Sequence, residues 1–395
     1  MKIRNLIYLA QLEEYQPDLI KKWLKNNPGK SVIEIKHHLK LTSKTCLIYF
    51  LTSFFSLFLN NQKALFLTLN LLSPFDKFFK NILIKLATFK FKIFNKKTIV
   101  IAITGSWGKT TTKEALYAIF KNTPHVFYTP SNHNTILSIA KQVLFLPTSA
   151  KIFICEIGAY QQDDIKKVCQ IIKPQIGILT AIGPMHLERF GSLENILKTK
   201  MELAESLPKN GIFWAPKNLV SQIQKFSLPK NTNYFTDYSQ IYFSLAFNFN
   251  ISQKDVQKTL DSLPPAENRQ QIIKNGPITI IDDTYNSNPA GFKLALDKLQ
   301  KIKSDQKILI TPGMIELGPM QFSENARLAN IAGKTCDHII IVGQTNKEAW
   351  ISGLKNTSAK IHLIQNLSET ETLLPSIYQG TTAVLFENDL GDQYF

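Results

Sequence analysis

The stretch ITGSWGKTTTK (103–113) limits what this chain can fold into more than any other part of it. The stretch sits between the apolar run TIVIA (98–102) and the helix-patterned EALYAIF (114–120). Gly105 and Gly108 let the backbone turn tightly, so that N–H groups converge on an oxyanion at a helix N-terminus. Lys109 supplies a cation for outer phosphates, and the Thr110 hydroxyl suits a magnesium ligand. Gly105, Ser106, Gly108, Lys109, Thr110 and Thr111 are therefore the candidate nucleotide-binding residues. The general phosphate-loop spacing would put a further glycine at 103, where this chain has Ile103. An ordinary strand–helix connection is the competing reading. Placement directly after an apolar strand favours the phosphate loop.

Strands alternating with helices dominate from Thr98 onward. One series reads TIVIAI, KIFICEI, QIGILTAI and GIFWAP; a second, from about Glu267, reads ITIIDD, KILITPG, HIIIVG, KIHLIQ and AVLFEN. Such alternation predicts mostly parallel sheets covered by helices. The expected fold class is α/β: a P-loop central domain with a mostly parallel sheet (98–265) and a C-terminal Rossmann-like domain (266–395). LPPAENR (263–269) reads as the hinge between them.

Residues 1–97 differ in texture. They hold 17 of the Lys and Arg residues against 5 Asp and Glu, and so carry twelve of the sixteen net positive charges. The near-balanced remainder speaks against a nucleic-acid partner. Two apolar runs, CLIYFLTSFFSLFL (46–59) and ALFLTLNLLSPF (64–75), are separated only by NNQK, and each is shorter than the roughly 20 residues a spanning helix needs. With lysines on both flanks, the pair is expected to form a helical hairpin at 46–75 that enters the membrane from the cytoplasmic side. A buried helical pair is the alternative. Leu9, Leu12, Leu19 and Trp23 recur at helical spacing upstream, and Pro17 opens a second short helix. Cys46, Cys155, Cys169 and Cys336 show no paired spacing, which suits a reducing, cytoplasmic compartment.

Glu156 closes the run KIFICE, 47 residues after Lys109, where a carboxylate leaving the strand beside a phosphate loop can take a second hold on magnesium. GPMHLERFGSLENILKTKMEL (183–203) then brings His186 and Lys200. A histidine just past a strand end on the same sheet edge is placed to serve a metal or a phosphate.

In this order, ITGSWGKTTTKEAL, TPSNHN, EIGA, MHLERFGSLENILKTKMEL and IDDTYNSNP resemble the Mur ligases over roughly residues 98–390. The resemblance implies an ATP-dependent amide ligase that works through an acyl phosphate, with ATP and Mg²⁺ as cofactors. Its partners would be a peptidoglycan precursor acid of the UDP-N-acetylmuramoyl-peptide type and the dipeptide D-alanyl-D-alanine. It assigns Thr110, Glu156, His186 and Lys200 to metal, with Lys200 carbamylated, and makes Lys200, His186 and Glu156 the catalytic set. Arg269, Asp283, Tyr285 and Asn286 would reach the nucleotide. For Asp283 to Asn286 a capped strand-to-helix turn, with Pro289 in the first helical turn, is the plainer reading.

Three departures stand out. Ser138 and Ala140 replace a glycine and a proline of the family pattern. No counterpart of the family's adenine-contacting Gly-x-His-Asn element is found in SQIQKFSLPKNTNYFTDYSQ (221–240). Residues 1–97 stand where the family carries its uridine-nucleotide domain. A membrane-tethered, catalytically weakened nucleotide-binding scaffold is therefore the second reading.

Overall fold

The computed structural model describes residues 1–32, 38–131, 133–264, 270–285, 287–391 and 394. Its residues group into two compact units, Lys80–Gln271 with Ile315–Gln321, and Met1–Phe79 with Ile272–Met314 and Phe322–Phe395.

Four helices lead the chain: α1 (Ile3–Leu12), α2 (Pro17–Asn26), α3 (Ser43–Phe55) and α4 (Asn61–Phe94). The expected helical pair is there. Among the described residues, no helix is long and apolar enough to cross a membrane. The second apolar run does not stop at Phe75. It continues through Pro74 and the lysines at 77, 80 and 85 to Phe94, which dilutes its hydropathy. The two runs also find protein partners, because Leu6, Leu9, Ile20 and Trp23 of α1 and α2 pack on Ile48, Leu65 and Leu69.

The central sheet holds β1 (Ile99–Thr104), β2 (Val126–Tyr128), β3 (Ile152–Glu156), β4 (Ile176–Leu179), β5 (Ile212–Pro216) and β6 (Asn231–Phe235). Its order is β2-β3-β1-β4-β5-β6, with every pair parallel. The helices are α5 (Lys109–Phe120), α6 (Ile136–Phe145), α7 (Asp164–Ile172), α8 (Leu187–Phe190), α9 (Leu193–Ser206), α10 (Val220–Ile223), α11 (Ser239–Asn248) and α12 (Gln253–Asp261). One face of the sheet buries Val100, Phe153 and Cys155 under α6, α7, α9 and the end of α4. The other buries Ile101, Ile103 and Ile154 under α5, α11 and α12. A strand covered on both faces must be apolar throughout, which is why β1 and β3 read as continuous Ile, Val and Phe runs. From β1 the chain builds β2 and β3 on one side, then crosses to β4, β5 and β6 on the other. Such a reversal opens a crevice at the C-terminal strand ends.

The second sheet has the order β11-β10-β9-β12-β8-β7. Its strands are β7 (Gln271–Asn275), β8 (Ile278–Asp283), β9 (Gln306–Thr311), β10 (His338–Val342), β11 (Lys360–Ile364) and β12 (Thr382–Glu387), covered by α13 (Pro289–Lys301), α14 (Gln321–Ala332), α15 (Lys347–Gly353) and α16 (Thr370–Ile377). Five strands run parallel. The two-residue link Gly276–Pro277 turns the edge strand β7 back on β8 and makes the sheet mixed.

Both α/β series thus fold as the sequence predicts, and three edge elements escape it. β2 has only three residues, β6 reads NTNYF, and β7 is half polar. Edge strands need no apolar run on both faces, so they carry little periodic signal.

Candidate active site

The loop after β1 wraps as its glycines require. Gly105 has φ +148°, and a Cβ there would meet the Thr180 hydroxyl at 2.1 Å. Gly108 has φ +81° and caps α5, where a Cβ would meet the Tyr238 hydroxyl at 2.8 Å. Ser106 is buried and ties the loop to the next strand end: its N–H donates to the Ala181 carbonyl at 2.8 Å, and its hydroxyl donates to the Gly183 carbonyl at 3.1 Å. Lys109 folds back over the loop and donates to the carbonyls of Gly105 (2.7 Å) and Ser106 (3.1 Å). The turn is therefore a cradle that a side chain at either glycine would fill, at the N-terminus of a three-turn helix.

Thr110 and Glu156 meet at the C-terminal ends of β1 and β3. The Thr110 hydroxyl donates to Glu156 Oε2 at 2.9 Å. Two residues that the sequence reading left without a role complete the carboxylate's surroundings. Asn134 Nδ2 donates to Oε1 at 3.0 Å, and the Lys113 ammonium lies 3.4 Å from Oε2. Lys113 is fully buried, also donates to the Ser131 carbonyl at 2.6 Å, and lies over the Tyr128 ring. One signal for Lys113 was present in the sequence: three residues after Thr110 on a helix is the same face. Thr111, by contrast, is exposed on that helix.

Lys200 is buried on α9. Burial pushes its ammonium down to about 7, and the positive charge of Lys109 adds to the effect, against Asp164 and Glu202. Both acids are engaged elsewhere. Asp164 accepts from the N–H groups of Tyr160 and Gln161, and Glu202 accepts from those of Asp163 and Lys166 at the start of α7. Lys113 thus faces the Glu156 carboxylate, while Lys109 lies over the loop at the helix N-terminus and within electrostatic reach of Lys200. The crevice is built for a polyanion.

His186 opens α8 with φ +54°. Its Nδ1 is hydrogen-bonded to Glu316, and its ring lies 5.0 Å from that of Tyr160. Glu316 belongs to the short stretch Ile315–Gln321, which clusters with the central sheet. Burial alone would raise the Glu316 carboxyl, but His186 and then Arg189 hold it below the usual range. His186 is therefore engaged with Glu316, while Thr110 and Glu156 form a separate pair. Among the described residues, no group of three or more His, Cys, Asp or Glu side chains is placed to hold a metal ion. A hydroxyl and a carboxylate nevertheless suit Mg²⁺, which takes few protein oxygens and completes its shell with phosphate and water.

A cavity of about 360 Å³ opens beside the loop, lined among others by Trp107, Ala181, Lys217, Phe235 and Tyr238. The Tyr238 hydroxyl donates to the Thr180 carbonyl at 2.9 Å, and burial pushes its phenol pKa up to about 12. This wall is made by β6 and the start of α11, in the region where the sequence showed no counterpart of the family's Gly-x-His-Asn element.

In the second sheet's unit, Asp283 ends β8 and is buried beside Glu387, which accepts from the Ser287 hydroxyl at 2.6 Å. Burial, then Asp283, push the Glu387 carboxyl well above its ordinary value. Tyr285 is exposed. Asn288 caps α13 through the Gly291 N–H at 3.0 Å, with Pro289 in the first turn, so the capped turn expected from IDDTYNSNP is present. Arg269 and Asn286 lie outside the described residues.

Residues 103–272 match the Mur ligase middle domain, and residues 268–386 match the Mur ligase glutamate ligase domain. The UDP-N-acetylmuramoyl-tripeptide--D-alanyl-D-alanine ligase of Buchnera aphidicola is 32% identical, with 65% of each chain covered. The enzyme of that name from Rickettsia prowazekii is 27% identical, covering 76% of this chain and 77% of its own. The chain therefore spans just under two thirds of the Buchnera relative. The structure of MurF ligase from Thermotoga maritima in complex with ADP superposes with a TM-score of 0.69 at 24% identity, covering 78% of this chain and 80% of that one. At that identity the superposition establishes a shared fold.

Proposed function

The chain belongs to the Mur ligase family, and on that premise we propose that it is an ATP-dependent amide ligase acting on a peptidoglycan precursor. The names of the relatives support a UDP-N-acetylmuramoyl-peptide as the acid and D-alanyl-D-alanine as the amine. In the proposed reaction a carboxylate oxygen of the acid attacks the γ-phosphorus of ATP and ADP leaves, giving an acyl phosphate. The amine nitrogen then attacks the acyl carbon, loses its proton, and phosphate departs as the amide forms.

The single observation that carries this reading is the Thr110–Glu156 pair, held by Lys113 and Asn134 beside the Lys109 loop. Thr110 and Glu156 would hold Mg²⁺, which when bound neutralises phosphate charge. Lys109 and the loop N–H groups would bind the outer phosphates, because fixed positive groups lower the cost of gathering negative charge there. Lys200, kept close to neutral by burial, is the proposed carbamylated lysine. His186, its Nδ1 held by Glu316, has its other ring nitrogen left for a phosphate or metal oxygen. The cavity walled by Trp107 and Tyr238 has room for the nucleotide base. Arg269, Asp283, Tyr285 and Asn286 complete the proposed nucleotide set. A scaffold would have no use for a carboxylate and a hydroxyl held together beside a phosphate loop, with a buried lysine of lowered pKa on α9, so turnover is the better reading.

We place the reaction in the cytoplasm at the inner face of the membrane, with residues 46–75 as its attachment. The decisive assay is phosphate release from ATP with the candidate acid and dipeptide, with the product identified by mass spectrometry. Release that depends on both partners, and is lost in Lys109→Ala, supports the ligase. Nucleotide binding without release under any pairing overturns it.

A further inference from the structure

Along α4, the residues Phe75, Phe79, Ile82, Leu86, Phe89 and Ile93 follow one another at alternating steps of four and three, and all are between 38% and 65% exposed. That spacing puts them in a single stripe down the helix. The opposite side is already used. Leu83, Ile84, Ala87 and Phe91 pack into the core of the central sheet. The Lys90 ammonium caps the end of α6 by donating to the carbonyls of Val143, Leu144 and Leu146 at 2.5–2.8 Å. From Leu83 to Phe91 the helix is therefore held against the central sheet, with the apolar stripe on its other side exposed. A stripe of this length on a folded surface marks a contact with something apolar.

Charge decides between occupants. Residues 61–97 contain eight lysines and a single acidic residue, Asp76. Lys85 and Lys92 are exposed and stand one helical step to the side of the stripe. A second copy of α4 laid against this face would bring lysines to lysines with only Asp76, already bridged to Lys44, to answer them. A surface of anionic phospholipid headgroups over acyl chains answers both features at once.

We propose that α4 from Phe75 to Ile93 is an interfacial anchor. It lies in the plane of an anionic membrane surface with its aromatic and aliphatic stripe in the acyl boundary and its lysines among the headgroups. This rests on the membrane-face reading given above and not on the ligase chemistry. It moves the contact from the apolar pair at 46–75 to a helix that lies along the surface.

The test is co-sedimentation of the full chain, without ATP, with phosphatidylcholine vesicles and with vesicles containing about one third phosphatidylglycerol. The parent should pellet with the anionic vesicles and far less with the neutral ones. Phe79→Ser/Leu86→Ser/Phe89→Ser changes only exposed side chains, so it should fold normally by circular dichroism. It should bind at least about 100-fold more weakly, since each removes a large apolar group from lipid. Lys85→Glu/Lys92→Glu should abolish the preference for anionic lipid. A parent that stays in the supernatant with both vesicles overturns this proposal and the membrane-face reading together. A triple variant that binds like the parent overturns this proposal alone and returns the contact to residues 46–59. A parent that sediments as a dimer dissociated by the triple substitution shows a self-association face and also overturns it. None of these outcomes bears on phosphate release, which separates them from failure of the ligase assignment.

Discussion

Replacing Lys200 by alanine is expected to abolish ligation while ATP still binds. Burial, helped by Lys109, lowers the Lys200 ammonium from 10.5 to about 7. At pH 8 roughly nine-tenths of such a group is neutral amine, against about 0.3% for an ordinary lysine. Only the neutral amine adds carbon dioxide, R–NH₂ + CO₂ giving R–NH–COO⁻ and a proton. The fraction of Lys200 available to react is thus about 300-fold larger than for an unperturbed lysine at that pH. The product is an anionic oxygen donor of the kind a hard cation takes. Turnover should therefore fall as pH drops through about 7, where Lys200 regains its proton, and bicarbonate depletion should slow the enzyme reversibly. The assay is turnover of parent, Lys200→Ala and Lys198→Ala with and without added bicarbonate, together with ¹³C-carbon dioxide labelling read by NMR. A stability signature accompanies it. The folded value lies below the unfolded one, so the unfolded chain binds more protons between about pH 7 and 10.5, and the group's contribution falls as pH drops across that window. Lys200→Met should consequently melt higher than the parent at pH 6 while remaining inactive. Parent-like turnover in Lys200→Ala, or an active enzyme with no label at Lys200, would refute the reasoning.

Four further outcomes are expected. Lys109→Ala should weaken nucleotide binding at least tenfold by calorimetry and change stability by no more than about 0.5 kcal/mol, because this side chain serves a ligand rather than a core. Glu156→Ala should cost about 1–3 kcal/mol in urea unfolding, because the buried Lys113 ammonium loses one of its two carboxylates and keeps Glu114 at 3.5 Å; Lys113→Met/Glu156→Gln should recover most of that stability and no magnesium-dependent nucleotide binding. Tyr238→Phe removes one hydrogen bond to the Thr180 carbonyl, a loss of about 1 kcal/mol, and fluorescence titration should show weaker binding of ATP than the parent if the adjoining cavity holds the base. His338 and His362 stack with Nδ1 and Nε2 2.9 Å apart, and burial first, then neighbouring positive charge, lowers both below 6.5; their contribution is present above 6.5 and lost as pH falls through the folded values, so the melting temperature should drop between pH 7.5 and 5, and less so in His362→Phe.

The parts of the site legible in the sequence are those whose chemistry is local. Gly105, Gly108, Lys109 and Thr110 act within one turn, so their spacing alone announces a phosphate cradle. Glu156 was legible because a carboxylate ending a fully apolar strand has few structural reasons to be there. Asn134 and Glu316 were not. Each acquires its role from a partner 22 or 130 residues away, Glu156 in one case and His186 in the other, and no periodicity records such a meeting. Tyr238 escaped for a related reason: the wall it forms depends on β6, an edge strand whose polar residues disguise it.

The first quarter of the chain shows why composition could not separate lipid from protein core. Both environments reward Phe and Leu, so the run at 46–59 fits either. What distinguishes the faces of α3 is where its small polar residues fall. Thr45, Ile48 and Thr52 are buried at steps of three and four, and the Thr52 hydroxyl donates to that of Thr68 on α4 at 3.2 Å. A threonine pair across two helices needs a partner that can accept its hydrogen bond, and a protein neighbour provides one where an acyl chain does not. Phe50 and Phe54 on the other side carry no such group and are exposed. The threonines were printed in the sequence at helical spacing throughout. Read as the inward ridge, they predict the packed face of α3 and leave the phenylalanines as its outer surface.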